Sequence, residues 1–379
     1  MPLPPTGQNM QTPVRILAAL VLCLPMAALA AGKIVIGQSA PLTGSNAEIG
    51  KDIRDGALAY FKRVNEAGGV NGKEIELVSM DDKNDRKIAG ENAVKLVNQN
   101  GAVALFGFAS ATLSLDAMPI VKEKKVPFFA PFTGADAIHK QNNMVFVMRA
   151  SYADELGKIL QHWNALGADR ITVVHYDDEI GNQNFATVER IMKAAGKTAT
   201  SVKVQRNKDV DKAAIDAIVK SDPHVIVATT LYGTTSQVLK GLREAKRPYN
   251  MTSLSFVGPS QLAKAAGPNA YGVSVAGVVP PPTKTVVPVI KECGDAMKKA
   301  GIAELNYTNL EACIAAKVLV EAMRRGGKGD VTRESLYKGL ASMNDYDAGG
   351  YTVTFGPEGR QGSHYVELAV ISKNGNFRF

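Results

Sequence analysis

Past residue 32 the chain alternates short, continuously apolar runs with longer stretches in which apolar residues recur every three or four positions. The run 33-KIVIGQSA-40 predicts a strand. The stretch 53-IRDGALAYFKRVNEAGG-69 predicts a helix with Ile53, Ala57, Tyr60, Phe61 and Val64 on one face. Strand 74-EIELVSMDD-82, helix 89-AGENAVKLVNQNG-101 and strands 102-AVALFG-107 and 126-VPFFA-130 follow. Strands that are apolar throughout and separated by helices form parallel sheets covered on both faces. The alternation then restarts. Helix 154–168, strand 170-RITVVHYD-177, helix 182–196, strand 200-TSVKVQ-205, helix 211–220 and strand 224-HVIVATT-230 lead to helix 235–245 and strands 252-TSLSFVG-258 and 273-VSVAGVV-279. The expected fold class is α/β, with two doubly wound parallel-sheet lobes.

The second lobe ends at Pro280-Pro281-Pro282, a stiff linker. Helices follow it, and then a β-rich tail, 350-GYTVTFG-356 and 364-HYVELAVIS-372. Helices followed by strands after the linker imply that the chain visits each lobe more than once. Three crossing segments would then form a hinge, placed near 149–151, 279–283 and 345–350. The expected N-terminal lobe is 32–150 with 283–346, and the expected C-terminal lobe is 151–282 with 347–379.

The first thirty residues differ from the rest. Arg15 is their only charge, and it precedes the apolar run 16-ILAALVLCLPMAALA-30, which is interrupted by proline and ends in Ala28-Leu29-Ala30. This is the pattern of a secretory signal peptide, residues 1–31, cut near Ala30 or Ala31. No later apolar stretch approaches the roughly 18 residues of a membrane span. The expected location is the periplasm. Export also bears on the cysteines: Cys23 leaves with the signal, and Cys293 and Cys313 remain in predicted helices, as a disulfide or as two buried thiols.

The 379 residues carry a formal net charge of +8, with basic residues spread among acidic ones, so no nucleic-acid surface is expected. The five histidines make no metal-ligand spacing. The fragment 196-GKT-198 lacks the first glycine of a phosphate-binding loop, since Ile191 stands there. No GxGxxG follows the first strand, and no GxSxG is present. Asp81-Asp82 and Asp177-Asp178-Glu179 sit at strand ends, where helix capping accounts for them. No cofactor, no metal and no catalytic residue is expected.

What remains is a set of alike turns at the ends of the first lobe's strands: 40-APLTGS-45, 107-GFASATLS-114 and 131-PFTGAD-136. Each is small, hydroxyl-bearing and nearly uncharged. In open parallel sheets ligands bind beyond the carboxyl ends of the strands, where free amides at helix starts can hold a carboxylate.

The segments 41-PLTG-44, 65-NEAGGVNGKEIELVSMDD-82, 107-GFASATLSLDAMPI-120, 127-PFFAPFTGA-135, 171-ITVVHYDDEIG-181 and 256-FVGP-259 resemble the branched-chain amino-acid-binding (Leu/Ile/Val-binding) family. These are type I periplasmic substrate-binding proteins of ABC importers. The resemblance implies a hinged trap that captures a small solute, works as a monomer and delivers to membrane permease subunits; a sensor that signals to a receptor would use the same trap. It implies a ligand site made by Ser110, Ala111, Thr112, Phe132, Thr133 and Gly134, with Tyr152, Ile180, Tyr232 and Ser260. In typical members an acidic residue at the position of Ser260 holds the ligand's ammonium, an aromatic occupies that of Ile180, and a hydroxyl that of Ala111. Glu311 or Asp178 would supply the missing negative charge by another route; without them, these departures favour a carboxylate or polar solute without an amine.

Overall fold

The computed structural model describes residues 1–4, 7, 32–139, 144–302, 304–355 and 361–378. Residues 5–6 and 8–31 of the expected signal peptide, with its cut near Ala30 or Ala31, lie outside them. Among the described residues no helix is long and apolar enough to cross a membrane.

From β1 (Ile34–Ala40) the chain runs through α1 (Ala47–Glu66), β2 (Ile75–Asp81), α2 (Arg86–Asn98), β3 (Ala104–Phe106), α3 (Ala111–Asp116), α4 (Met118–Lys124), β4 (Phe128–Phe129), α5 (Asp136–His139) and β5 (Val145–Phe146). These strands make one sheet in the order β2-β1-β3-β4-β5, with every pairing parallel. The chain continues into α6 (Tyr152–Ala165), β6 (Arg170–Tyr176), α7 (Glu179–Ala194), β7 (Thr198–Val204), α8 (Lys212–Ser221), β8 (Val225–Thr229), α9 (Tyr232–Glu244), β9 (Asn250–Ser253), α10 (Pro259–Ala266) and β10 (Ser274–Gly277). Then come α11 (Pro288–Lys299), α12 (Tyr307–Arg325), α13 (Arg333–Ala341), β11 (Tyr346–Asp347), β12 (Thr352–Val353), β13 (Glu367–Ile371) and β14 (Phe377–Arg378). The second sheet has the order β14-β13-β10-β9-β8-β6-β7. Its five parallel strands repeat the winding of the first sheet, and β13 and β14 extend it antiparallel. The protein is thus a two-lobed α/β molecule.

Winding of this kind creates a switch point between the first and third strand of each sheet, where connections leave to opposite faces and a crevice opens at the strands' carboxyl ends. In the first sheet the switch point lies between β1 and β3, and in the second between β6 and β8. These two places govern where the site can be.

The helices after the proline linker return to the first lobe: α11 and α12 pack on α1, and α13 packs on α12. Cys293 on α11 and Cys313 on α12 are both fully buried and are joined by a disulfide, with Cα atoms 6.0 Å apart. Closing a loop of this length removes unfolded-state freedom equivalent to roughly 3 kcal/mol.

The last crossing comes later than the Gly349-Gly350 turn suggested. Phe355 sits in the first lobe's aromatic core, its ring 6.1 Å from Phe129 and 5.4 Å from Phe146. Asp347 accepts from the amides of Gly349 and Gly350, so those glycines close a hairpin turn between β11 and β12. Phe355, expected in the C-terminal lobe, therefore packs against strands β4 and β5 of the first sheet, and described residues 361–366 precede β13 of the second. Burying Phe355 and Tyr351 there contributes about 1.5–3 kcal/mol each. The crossings are stitched together. Gly362 donates its amide to the Val147 carbonyl at 2.7 Å, and the Tyr351 hydroxyl donates to the carbonyls of Met148 and Val278.

Candidate functional site

The first-lobe wall of the cleft starts where β3 ends. Gly107, at φ +62°, turns the chain out of the strand, and Ser110 opens α3 without using its hydroxyl as a cap. Beside it, at the end of β4, Phe132 donates its amide to the Phe108 carbonyl at 2.7 Å. Thr133 is fully buried; its hydroxyl donates to the Tyr152 hydroxyl at 3.0 Å and accepts from the Ala135 amide. Gly134 accepts from the Tyr152 amide, and a Cβ there would come within 2.4 Å of the Ala150 carbonyl oxygen, so only glycine lets this turn lie against the first crossing.

The second-lobe wall comes from its own switch point. Tyr176 ends β6, and Asp178 caps α7 by accepting from the Gly181 amide at 2.8 Å. The Arg206 guanidinium stacks on the Tyr176 ring, 4.2 Å from its centroid, and donates to Asp178 at 2.9 Å. Burial alone would raise the Asp178 carboxyl, but the Gly181 amide, Arg206 and the Thr112 hydroxyl outweigh it and hold the carboxyl below the usual carboxylate range. Thr229 ends β8 and is 2% exposed, and its hydroxyl has no hydrogen-bond partner among the described residues.

These walls enclose one cavity. Of the residues expected at the site, Ser110, Ala111, Thr112, Tyr152 and Ile180 line it together, joined by Tyr176, Asp178, Asn184, Arg206, Thr229 and Phe256. Phe132 lies in an adjoining hollow with Ser255, Pro259 and Glu311. Thr133 stands behind Tyr152 as its hydrogen-bond partner. Tyr232 is not among the residues lining this cavity; its hydroxyl accepts from the Glu48 amide of α1 at 3.3 Å. Ser260 is elsewhere. Gly258, at φ +77°, turns the chain so that Ser260 in α10 lines a different cavity, with Lys264, Glu304, Asn306 and Tyr307.

The two lobes touch across the cleft. Thr112 donates to Asp178 at 3.1 Å, Arg206 donates to the Asn84 side chain at 3.1 Å, and Asn84 and Asn207 exchange two further bonds. Nearer the hinge, the Asp52 carboxylate accepts from Gln261 and Asn306.

At the hinge itself lies a buried charge network. Arg149, in the first crossing and 1% exposed, donates to both oxygens of Glu311 at 2.7 and 2.5 Å, and to the Ser255 hydroxyl at 3.2 Å. Ser255 in turn donates its amide and hydroxyl to Glu155 at 2.6 and 2.9 Å. The Arg149 guanidinium also covers the Phe132 ring at 4.2 Å. Glu311 is thus not a surface residue of α12, and its charge is already neutralised.

Burial pushes Glu155 up to about 7, against the pull of Arg149 and Ser255 and with the help of Glu311. Because its folded value lies above its unfolded one, this carboxyl stabilises the fold fully below about pH 4.5, and the contribution is lost as pH rises through about 7. Glu155→Gln should therefore flatten the fall in unfolding free energy between about pH 5 and 8, by an amount on the order of 3 kcal/mol. Asp82, which burial also pushes up to about 7, adds the same slope to both proteins and cancels. Urea titrations at the two pH values measure the difference; identical slopes would contradict the assignment.

The sequence profile of the periplasmic binding protein family matches residues 33–376. A curated relative, the amino acid binding protein of Pseudomonas aeruginosa, is 26% identical over 293 residues, covering 75% of this chain and 78% of its own length. A substrate-binding periplasmic protein from Ralstonia solanacearum, of solved structure, superposes with a TM-score of 0.86 at 33% identity, covering 91% of this chain and 99% of its own. The branched-chain amino acid transporter substrate binding protein of Streptococcus pneumoniae, solved in complex with isoleucine, shares the fold with a TM-score of 0.79 at 17% identity, over 92% and 98% of the two chains.

Proposed function

This chain belongs to the periplasmic binding protein family, and from that premise we propose that it is an extracytoplasmic solute-binding protein of an ABC importer. It captures a small amino acid-like or carboxylate-bearing organic solute between its lobes and presents it to the permease in the periplasm. The observation that carries this reading is the meeting of the two sheets' switch points on one cavity, with Ser110 and Thr112 on one side and Asp178 and Thr229 on the other. The name of the Pseudomonas relative and the isoleucine held by the Streptococcus neighbour support the solute class.

Function follows from the hinge. A solute that contacts both walls favours the closed arrangement, whereas one that contacts a single wall cannot shift that equilibrium. Ser110, Ala111, Thr112 and Tyr152 receive the anionic or polar end, and Thr133 fixes the Tyr152 hydroxyl. Phe132 and Gly134 shape the turn beneath it, Ile180 lies on the opposite wall, and Tyr232 bears on closure through Glu48. The lobe boundaries proposed are the crossings at 147–151, 278–287 and 361–366.

The test is calorimetric titration of the chain from residue 32 with amino acids, aromatic acids, short dicarboxylates and amides. At least one should bind with roughly micromolar affinity, about −8 kcal/mol. A panel in which nothing binds would contradict the reading.

A further inference from the structure

Resting on the solute-binding reading, we infer that the solute is an organic acid bearing a neutral hydroxyl or carbonyl group and no ammonium, and that Thr229 is the residue that recognises the neutral group. Two independent observations lead here.

The first is the charge inventory of the cleft. Among the described residues, Asp178 and Arg206 are the charged ones lining the cavity. They neutralise each other at 2.9 Å, and Asp178 accepts two more bonds, from the Gly181 amide and the Thr112 hydroxyl. In the adjoining hollow, Glu311 is paired through both oxygens with Arg149. Glu155, behind it, is engaged through both oxygens by Ser255. Each carboxylate that the described residues place within the cavity or in the adjoining hollow therefore already has its partner. An ammonium brought in from water would lose its hydration without gaining a counter-charge, and such burial is strongly unfavourable.

The second is Thr229 itself. A hydroxyl on a residue 2% exposed, at the carboxyl end of a central strand, has every opportunity to bond a neighbouring carbonyl. This one has no protein partner among the described residues, and the residue that carries it lines the cavity. An unpaired buried hydroxyl is unfavourable for folding, where valine would fill the same shape without that penalty. A threonine here serves the solute. A hydroxyl both donates and accepts, so it matches an alcohol or a carbonyl equally, but unlike a carboxylate it cannot neutralise a cation. The walls beside it, Tyr152, Tyr176, Phe256 and Ile180, are apolar surfaces suited to the body of such an acid.

The experiment compares matched sets by calorimetry: phenylalanine, 3-phenyllactate and 3-phenylpropionate, and likewise leucine, 2-hydroxy-4-methylpentanoate and 4-methylpentanoate. In at least one set the hydroxy acid should bind roughly tenfold or more tightly than the amino acid, and more tightly than the unsubstituted acid. Thr229→Val should collapse the preference for the hydroxy over the unsubstituted acid to about twofold or less and should raise the melting temperature of the free protein. Tighter binding of the amino acid in both sets would overturn the inference while leaving the solute-binding reading intact. A Thr229→Val protein that keeps the full preference would overturn the role of Thr229. If no compound of either set binds, the inference fails for these acids, and the broader panel above decides whether the solute-binding reading fails with it.

Discussion

Arg149→Met is expected to lower the free energy of unfolding by about 3–5 kcal/mol, the range seen when one partner of a buried ion pair is removed. The magnitude follows from what is left behind. Glu311 would remain buried on α12 without the guanidinium that now donates to both of its oxygens, and the Ser255 hydroxyl would lose its second partner. Burial already pushes the Glu311 carboxyl upward even with Arg149 present. Without Arg149 it would rise further, so the deficit should be larger at pH 8 than at pH 5, where the carboxyl can take up a proton. Methionine keeps much of the side chain's volume, which separates loss of charge from loss of packing on Phe132. The double variant Arg149→Met with Glu311→Leu should recover most of the loss, because an apolar pair of similar volume can replace a buried salt bridge at little net change. Urea denaturation of the three proteins measures this; a loss under about 1 kcal/mol for Arg149→Met would contradict the network.

Arg206→Ala is expected to weaken solute binding by roughly 10- to 100-fold while leaving the fold intact. Arg206 belongs to the second lobe, where it stacks on Tyr176 and pairs with Asp178, and it also reaches Asn84 and Thr112 on the first. Bonds of this second kind exist only when the lobes are together, so they stabilise closure. A charge-assisted hydrogen bond contributes about 1.5–3 kcal/mol, and closure is the step that binding must drive. Small-angle scattering on the variant should show a larger radius of gyration in the presence of solute than the parent chain shows. Unchanged affinity together with unchanged scattering would remove Arg206 from the closure mechanism.

Most of the order of strands and helices was legible because apolar runs and helical stripes are local properties; the parallel strands β1–β4 and β6–β10 followed from their alternation, whereas β5, β14 and the antiparallel edge did not. The turn at Ser110–Thr112 was legible for the same reason, since a strand end followed by a helix start can be read from a few adjacent residues. The same rule applied to the second lobe would have pointed to Tyr176, Asp178 and Thr229, at the ends of the strands predicted at 170–177 and 224–230. Three features were not readable. The fate of Ser260 depends on how Gly258 aims the start of α10. The burial of Glu311 depends on an arginine far away in sequence. The third crossing was misplaced because a glycine pair that closes a hairpin and a glycine pair that links lobes look alike until Phe355 is seen in the aromatic core.

The most direct measurement is a crystal structure of the chain from residue 32 grown with whichever acid of the panel binds most tightly. The acid is expected between Ser110–Thr112 on one lobe and Thr229 on the other, within hydrogen-bond distance of both. Density for it against one lobe alone, or in the cavity beside Ser260 and Lys264, would rule out a site shared by the two walls.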